Sequence, residues 1–118
     1  MRVPVLLTNG EQRSALAIAR SLHARGIEVH ALAAGDGGYA ARSRAVREVV
    51  QAPRADADAR GFLEAVHDVV RRRGIGLVIP VSDEDLVALD AARATFGDVR
   101  LAMRSEEHTS ELQSQNAI

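Results

Sequence analysis

The chain has 118 residues, a formal net charge of −1, 47% apolar residues and no cysteine. This length suits one domain with a modest core, and the near-neutral charge gives no electrostatic case for nucleic-acid or membrane-surface partners. The absence of cysteine excludes disulfides and thiolate chemistry, and the lack of an apolar run of about 18 residues or of a leader pattern makes the cytoplasm the expected location.

Five short apolar runs predict β-strands. The first and fourth runs show no alternation with polar residues, which is typical of strands that are buried on both faces of a parallel sheet. In chain order, the predicted strands span residues 3–7, 27–33, 47–52, 75–81 and 99–103.

Helical patterns separate most of these runs. Apolar residues at i, i+3, i+4 and i+7 predict a helix over 12–25, which Gly26 ends. Either Asp56 or Asp58 is the predicted cap of a second helix, which Gly74 ends. A third helix follows the fourth strand, whereas a glycine-rich turn is predicted between the second and third strands.

Strands that alternate with helices predict parallel βαβ units with right-handed crossovers. We therefore predict an α/β fold, a Rossmann-like doubly wound parallel sheet of about five strands in the order 3-2-1-4-5. Ligands of such sheets bind beyond the carboxyl ends of the strands, where the strand order reverses. Two polar loops, 8–14 and 82–85, are predicted to face each other there, and each opens a helix whose free N–H groups suit a phosphate or a carboxylate.

Neither loop carries a nucleotide-binding signature. A G-x-G-x-x-G fingerprint needs three glycines, of which only Gly10 is present, and a P-loop needs a lysine, of which the sequence has none. Structural alternatives stay open: Gly10 makes the strand-to-helix turn, and Ser82 or Asp83 caps the next helix, with Asp85 complementing its dipole. A paired-carboxylate acid–base centre at 82–85 lacks an identified partner.

Three histidines of the domain lie on separate elements without metal-ligand spacing. We expect each of them at the surface or at a sheet edge, and none in a metal site. They are His23, His30 and His67.

Residues 104–118 differ in composition from the rest of the chain. Residues 104–114, RSEEHTSELQS, resemble the in-frame translation of a common sequencing adapter over eleven consecutive residues. We therefore expect a natural domain at 1–103, a non-native tail at 104–118 without a functional role, and a natural protein that continues past Met103.

Three stretches of the domain carry a resemblance to a known family. They are VLLTNGEQRSALAIARSLHARGIEVHAL at 5–32, SRAVREVVQAP at 43–53 and FLEAVHDVVRRRGIGLVIPVSDEDLVAL at 62–89. Together they resemble the N-terminal, pre-ATP-grasp domain of ATP-grasp ligases, the superfamily of carbamoyl-phosphate synthetase and biotin carboxylase. The nearest pattern is that of carboxylate-amine-ligase-like members, and the resemblance is spread over 3–103 without a single signature.

The resemblance implies an ATP-dependent ligase that phosphorylates a carboxylate to an acylphosphate, which an amine or another nucleophile then attacks. ATP and Mg²⁺ would be held mainly by two following lobes, so the missing lobes are implied partners, and the fragment is expected to bind no cofactor and to be inactive alone. The domain would form the substrate side of the cleft, for a small-molecule carboxylate that Arg13 could pair with. The implied substrate-binding residues are Thr8, Asn9, Gly10, Gln12, Arg13, Ser82, Asp83 and Glu84; the resemblance names no catalytic residue and no metal ligand.

Two other classes of function compete with this interpretation. One is a nucleotide-sugar or dinucleotide-binding half-domain of a transferase or reductase, which titration with NAD(P)H and nucleotide sugars would reveal. The other is a receiver-like regulatory module, which needs acidic residues after the first strand and a later lysine. Thr8-Asn9-Gly10 and the absence of lysine argue against that module. The sequence leaves the substrate, the amine partner and the oligomeric state open.

Overall fold

A computed structural model of the chain describes residues 3–36 and 38–102, so the predicted tail at 104–118 and the end of the predicted fifth strand lie outside the described residues. The strands are β1 (Val5–Leu7), β2 (Val29–Ala33), β3 (Glu48–Gln51), β4 (Leu77–Ile79) and β5 (Arg100–Leu101). The helices are α1 (Arg13–Ala24), α2 (Gly38–Ala41), α3 (Ala59–Arg73) and α4 (Asp83–Ala91), and a 3₁₀ turn spans Arg93–Phe96.

The five strands form one parallel sheet in the order β3-β2-β1-β4-β5. In the centre, Leu6 lies opposite His30 of β2 on one side and opposite Val78 of β4 on the other. The strand order reverses between β1 and β4, which is the position where ligands of doubly wound sheets bind. The predicted fold class and strand order are confirmed.

Each face of the sheet has its own apolar layer, because successive side chains of a strand point to opposite faces. On one face, α3 and α4 pack over Leu6 and Val78, with Phe62 as the largest fully buried side chain. On the other face, α1 and α2 pack over Val5 and Leu7. The sheet is thus covered on both sides, which explains the unbroken apolar pattern of its central strands.

The helix ends follow the sequence closely. Asp58, not Asp56, caps α3 by accepting a hydrogen bond from the Gly61 N–H at 3.0 Å. Gly74 ends α3 in the left-handed region at φ 66°, which a glycine adopts without strain. Ser82 caps α4, because its hydroxyl accepts from the backbone N–H of the third helical residue at 3.3 Å.

The strands are shorter than predicted, and β4 shows why. It ends at Ile79, because Pro80 has no N–H for the ladder. The next N–H, that of Val81, donates to the Thr8 hydroxyl at 3.1 Å. A further difference is α2, which forms at Gly38–Ala41 where only a turn was predicted. Within the described part of the chain, no helix is long and apolar enough to cross a membrane.

The prediction that His30 lies at the surface or an edge is wrong, because it is fully buried on β2. Its Nε2 lies 2.6 Å from Glu28 Oε2, and its Nδ1 lies 3.3 Å from Glu48 Oε1. The hydrogen bond from His30 lowers the pKa of Glu28, and the one from Arg73 lowers the pKa of Glu48. Because Glu28 precedes β2 and Glu48 begins β3, this polar cluster lies near the amino ends of the strands, away from the crevice.

Candidate functional site

The two predicted loops meet beyond the carboxyl ends of β1 and β4. Thr8 follows β1, and its hydroxyl accepts the hydrogen bond from Val81. In the amide orientation that satisfies both of its polar atoms, the Asn9 side-chain oxygen accepts from the Ser82 hydroxyl at 3.1 Å. Residues 73 positions apart in the chain are therefore joined directly in the crevice.

The turn after β1 is shaped by two residues with special backbone requirements. Asn9 is in the left-handed region at φ 54°, which asparagine tolerates better than most residues. A Cβ on Gly10 would lie 2.9 Å from Ala40 Cβ and 3.1 Å from the Leu32 carbonyl oxygen. This close packing explains Gly10 without a ligand, as the structural alternative proposed.

Asp85 was not among the predicted site residues, yet it is the most buried acid of the crevice, with 3% of its surface exposed. Its carboxyl interacts with the hydroxyls of Thr8 and Ser82. Its Oδ2 has no hydrogen-bond partner within the described residues. Burial raises the pKa of Asp85, and the charges of Glu11 and Glu84 act in the same direction, whereas the two hydroxyls oppose them.

The sequence contains a signal for this burial. Asp85 lies four residues before Leu89, so the two side chains share one helix face, and Leu89 is fully buried. An acid on the inward face of a helix whose first turn borders the crevice has to enter the site or the core.

Asp85 lines a small recess together with Asn9, Glu11 and Arg54, and apolar walls that include Phe62. Its cavity volume is about 10 Å³, which is room for a single water-sized group. One oxygen of Glu11 accepts from the Ala34 N–H at 3.2 Å, and its carboxylate also accepts from the Asn9 amide. We use the term "acidic recess" for the small cavity that Asn9, Glu11, Arg54, Phe62 and Asp85 line.

The other predicted residues lie outside the acidic recess. Gln12 is exposed, although its amide lies 3.3 Å from the Asn9 side-chain oxygen. Arg13 is exposed and its guanidinium lies 5.9 Å from the centre of the Tyr39 ring. Asp83 and Glu84 are exposed in the first turn of α4. In residues 3–36 and 38–102, no group of three or more histidine, aspartate or glutamate side chains could hold a metal ion.

The buried charge of Asp85 predicts a gain in stability when that charge is removed. Because the folded pKa of Asp85 is raised above its unfolded value, ionised Asp85 opposes folding above that pKa. This opposition disappears as the pH falls to the ordinary value of 3.8. Asp85→Asn should therefore raise the free energy of unfolding by about 1 kcal/mol at neutral pH. Near pH 3.8 it should leave the free energy of unfolding unchanged.

Urea unfolding of both proteins across this pH range measures the difference. Asp98→Asn is the matched control, because Asp98 is exposed and should change stability by less than about 0.5 kcal/mol. A loss of stability at neutral pH on Asp85→Asn would show that the charge is held favourably, contrary to the expectation.

No protein-family model matches the chain, and the comparison with curated proteins found no match. Some solved structures are similar to this chain over most of its length. Glycinamide-RNase-transformylase T from Mycobacterium tuberculosis is 22% identical with a TM-score of 0.61, over 82% of this chain and 28% of its own. The biotin carboxylase domain of a single-chain bacterial carboxylase is 19% identical with a TM-score of 0.63, over 98% of this chain and 30% of its own.

A single-chain, multi-domain long-chain acyl-CoA carboxylase is also similar, with 24% identity and a TM-score of 0.52, over 79% of this chain and 10% of its own. At such identities the likeness shows a shared fold, and this chain spans less than a third of each neighbour. The chain is thus a Rossmann-like α/β domain of the kind found within those larger proteins.

Proposed function

We propose that this chain is the substrate-side domain of an ATP-dependent carboxylate–amine ligase of the ATP-grasp kind. The observation that carries the proposal is the buried Asp85, joined to Thr8 and Ser82 at the switch point of the sheet. A buried carboxyl oxygen without a partner opposes folding, and such groups cluster where a ligand is bound. The shared fold with ATP-grasp enzymes supports the class of reaction.

In this proposal the domain binds and orients a substrate, and further lobes of the same protein hold ATP and Mg²⁺. The polar groups that the crevice joins, Thr8, Asn9 and Ser82, fix the position of Asp85. The exposed candidates Gln12, Arg13, Asp83 and Glu84 surround the crevice, where they are available to the carboxylate substrate or to a following lobe. Transfer of the γ-phosphoryl group to the carboxylate would supply the acylphosphate.

The 118-residue chain alone is expected to hydrolyse no ATP above background, with or without Mg²⁺. It has no lysine to contact the phosphates and no P-loop. A coupled assay for ADP release on the purified chain measures this directly. Mg²⁺-dependent turnover that copurifies with the chain and persists through a second purification step would contradict the proposal.

Sequencing the genomic DNA downstream of the Met103 codon tests the proposed function. We expect it to encode ATP-grasp lobes, and we expect the protein made from the whole reading frame to release ADP only when a carboxylate is supplied. A transferase or reductase lobe in that position would instead support a nucleotide-sugar or dinucleotide half-domain.

A further inference from the structure

We propose that the acidic recess binds the primary ammonium group of the amine substrate, with Asp85 as its buried counter-ion. The inference rests on the proposed function for the role of this amine in the reaction. The binding of an ammonium group itself follows from the charge, the hydrogen-bond inventory and the size of the recess.

The charge of the recess favours a cation. Glu11 and Asp85 both line it, and their repulsion contributes to the raised pKa of Asp85. Arg54 is the cationic residue of the lining, but it is exposed and its Nε lies 3.3 Å from Asp56 Oδ1. A carboxylate here would add a third negative charge, so the sequence-based expectation of a carboxylate does not suit this part of the crevice.

Within the described residues, Asp85 Oδ2 has no hydrogen-bond donor. Glu11 already accepts from the Ala34 N–H and from the Asn9 amide, whereas Asp85 Oδ2 accepts from no described residue. An ammonium group brings three donors and no acceptor. It would satisfy Asp85 Oδ2, and the apolar wall around Phe62 would strengthen that ion pair by lowering the local dielectric constant.

The size of the recess selects a primary amine. A cavity of about 10 Å³ accepts one water-sized group. The –NH₃⁺ head of a primary amine is of that size, whereas a fully methylated nitrogen is larger. The positive end of the α4 dipole opposes a cation, but Asp83, Glu84 and Asp85 occupy its first turn and offset that field.

Binding can be measured on the ¹⁵N-labelled 118-residue chain by two-dimensional NMR at about pH 8, well above the ordinary pKa of carboxyl groups. The titrants are methylammonium, tetramethylammonium and potassium chlorides at equal ionic strength, and sodium acetate. We expect saturable shifts of the Thr8, Asn9 and Asp85 amide signals with methylammonium alone. Asp85→Asn should weaken this binding about tenfold or more, because a charged hydrogen bond is lost, and Asp98→Asn should leave it unchanged.

Several results would overturn the inference. Saturation by potassium would indicate an inorganic cation site. Saturation by acetate would indicate that the recess binds a carboxylate, as the sequence-based expectation had it. Equal shifts with tetramethylammonium would indicate unspecific ion binding. Methylammonium binding without ligase activity in the whole protein would refute the proposed function and leave the ammonium site. Conversely, an active ligase in which Asp85→Asn leaves the KM for the amine unchanged would refute the ammonium site alone.

Discussion

Leu89→Ala is expected to lower the free energy of unfolding by about 3 kcal/mol. Leu89 is fully buried in the layer that α3 and α4 form over the sheet, together with Phe62. Removing its branched end deletes apolar burial and leaves a cavity that the parallel sheet cannot fill by moving. Because small domains have a total stability of about 5–15 kcal/mol, urea unfolding followed by circular dichroism should show a large shift of the midpoint.

The Leu89→Ala variant also tests how α4 supports the acidic recess. Leu89 lies one helical turn after Asp85, so loosening it should also weaken the methylammonium response of the acidic recess. Val87→Ala on the same helix is the matched control, because Val87 is 65% exposed and should change stability by less than about 0.5 kcal/mol. Equal losses in the two variants would mean that α4 does not pack through its Leu89 face.

The strand order was predictable because its causes are local. The uninterrupted apolar run of β1, together with strand and helix alternation, leaves few topologies once crossovers must be right-handed. Helix ends at Asp58, Gly74 and Ser82 were similarly predictable, since a cap acts within a few residues of itself. At each of the two N-caps the sequence offered two candidates, and the structure selects Asp58 and Ser82.

Features that depend on distant partners were not predictable. The end of β4 is set partly by the Thr8 hydroxyl, which follows the neighbouring strand β1 and accepts a hydrogen bond from the Val81 N–H. His30 has Glu28 two residues before it on the same segment, but only the pairing of β2 with β3 places Glu48 opposite it. The Glu48 contact arises from register between strands, which no single segment encodes.

For the crevice, topology predicted Thr8, Asn9 and Ser82 correctly as neighbours, because carboxyl ends of adjacent parallel strands meet at one edge. Among the acidic residues of the second loop, the sequence-based prediction placed Asp83 and Glu84 in the site and did not include Asp85. Asp83 and Glu84 are exposed, whereas Asp85 points inward with Leu89. Helix phase would have distinguished them, since only Asp85 precedes a buried leucine by four positions.

Gly38→Ala is expected to lower the free energy of unfolding by about 2–3 kcal/mol, since it adds a steric clash to backbone strain. Gly38 has φ +51°, and a Cβ there would lie 2.6 Å from the Glu11 Cα and 2.7 Å from the Glu11 carbonyl oxygen. These are backbone atoms, which cannot rotate away, so the loop that carries Glu11 into the acidic recess has to shift.

Gly35→Ala separates the two causes of this loss. Gly35 also has a positive φ, +67°, but a Cβ there would meet nothing within 4 Å. It should therefore lose only the conformational part, roughly 1 kcal/mol, and keep the methylammonium response of the recess. Gly38→Ala should lose more stability and weaken that response, because its clash displaces Glu11. Urea unfolding measures the loss of stability in both variants, and the NMR titration measures their methylammonium response. Equal losses of stability with an unchanged methylammonium response would mean that α2 does not hold the first loop in place.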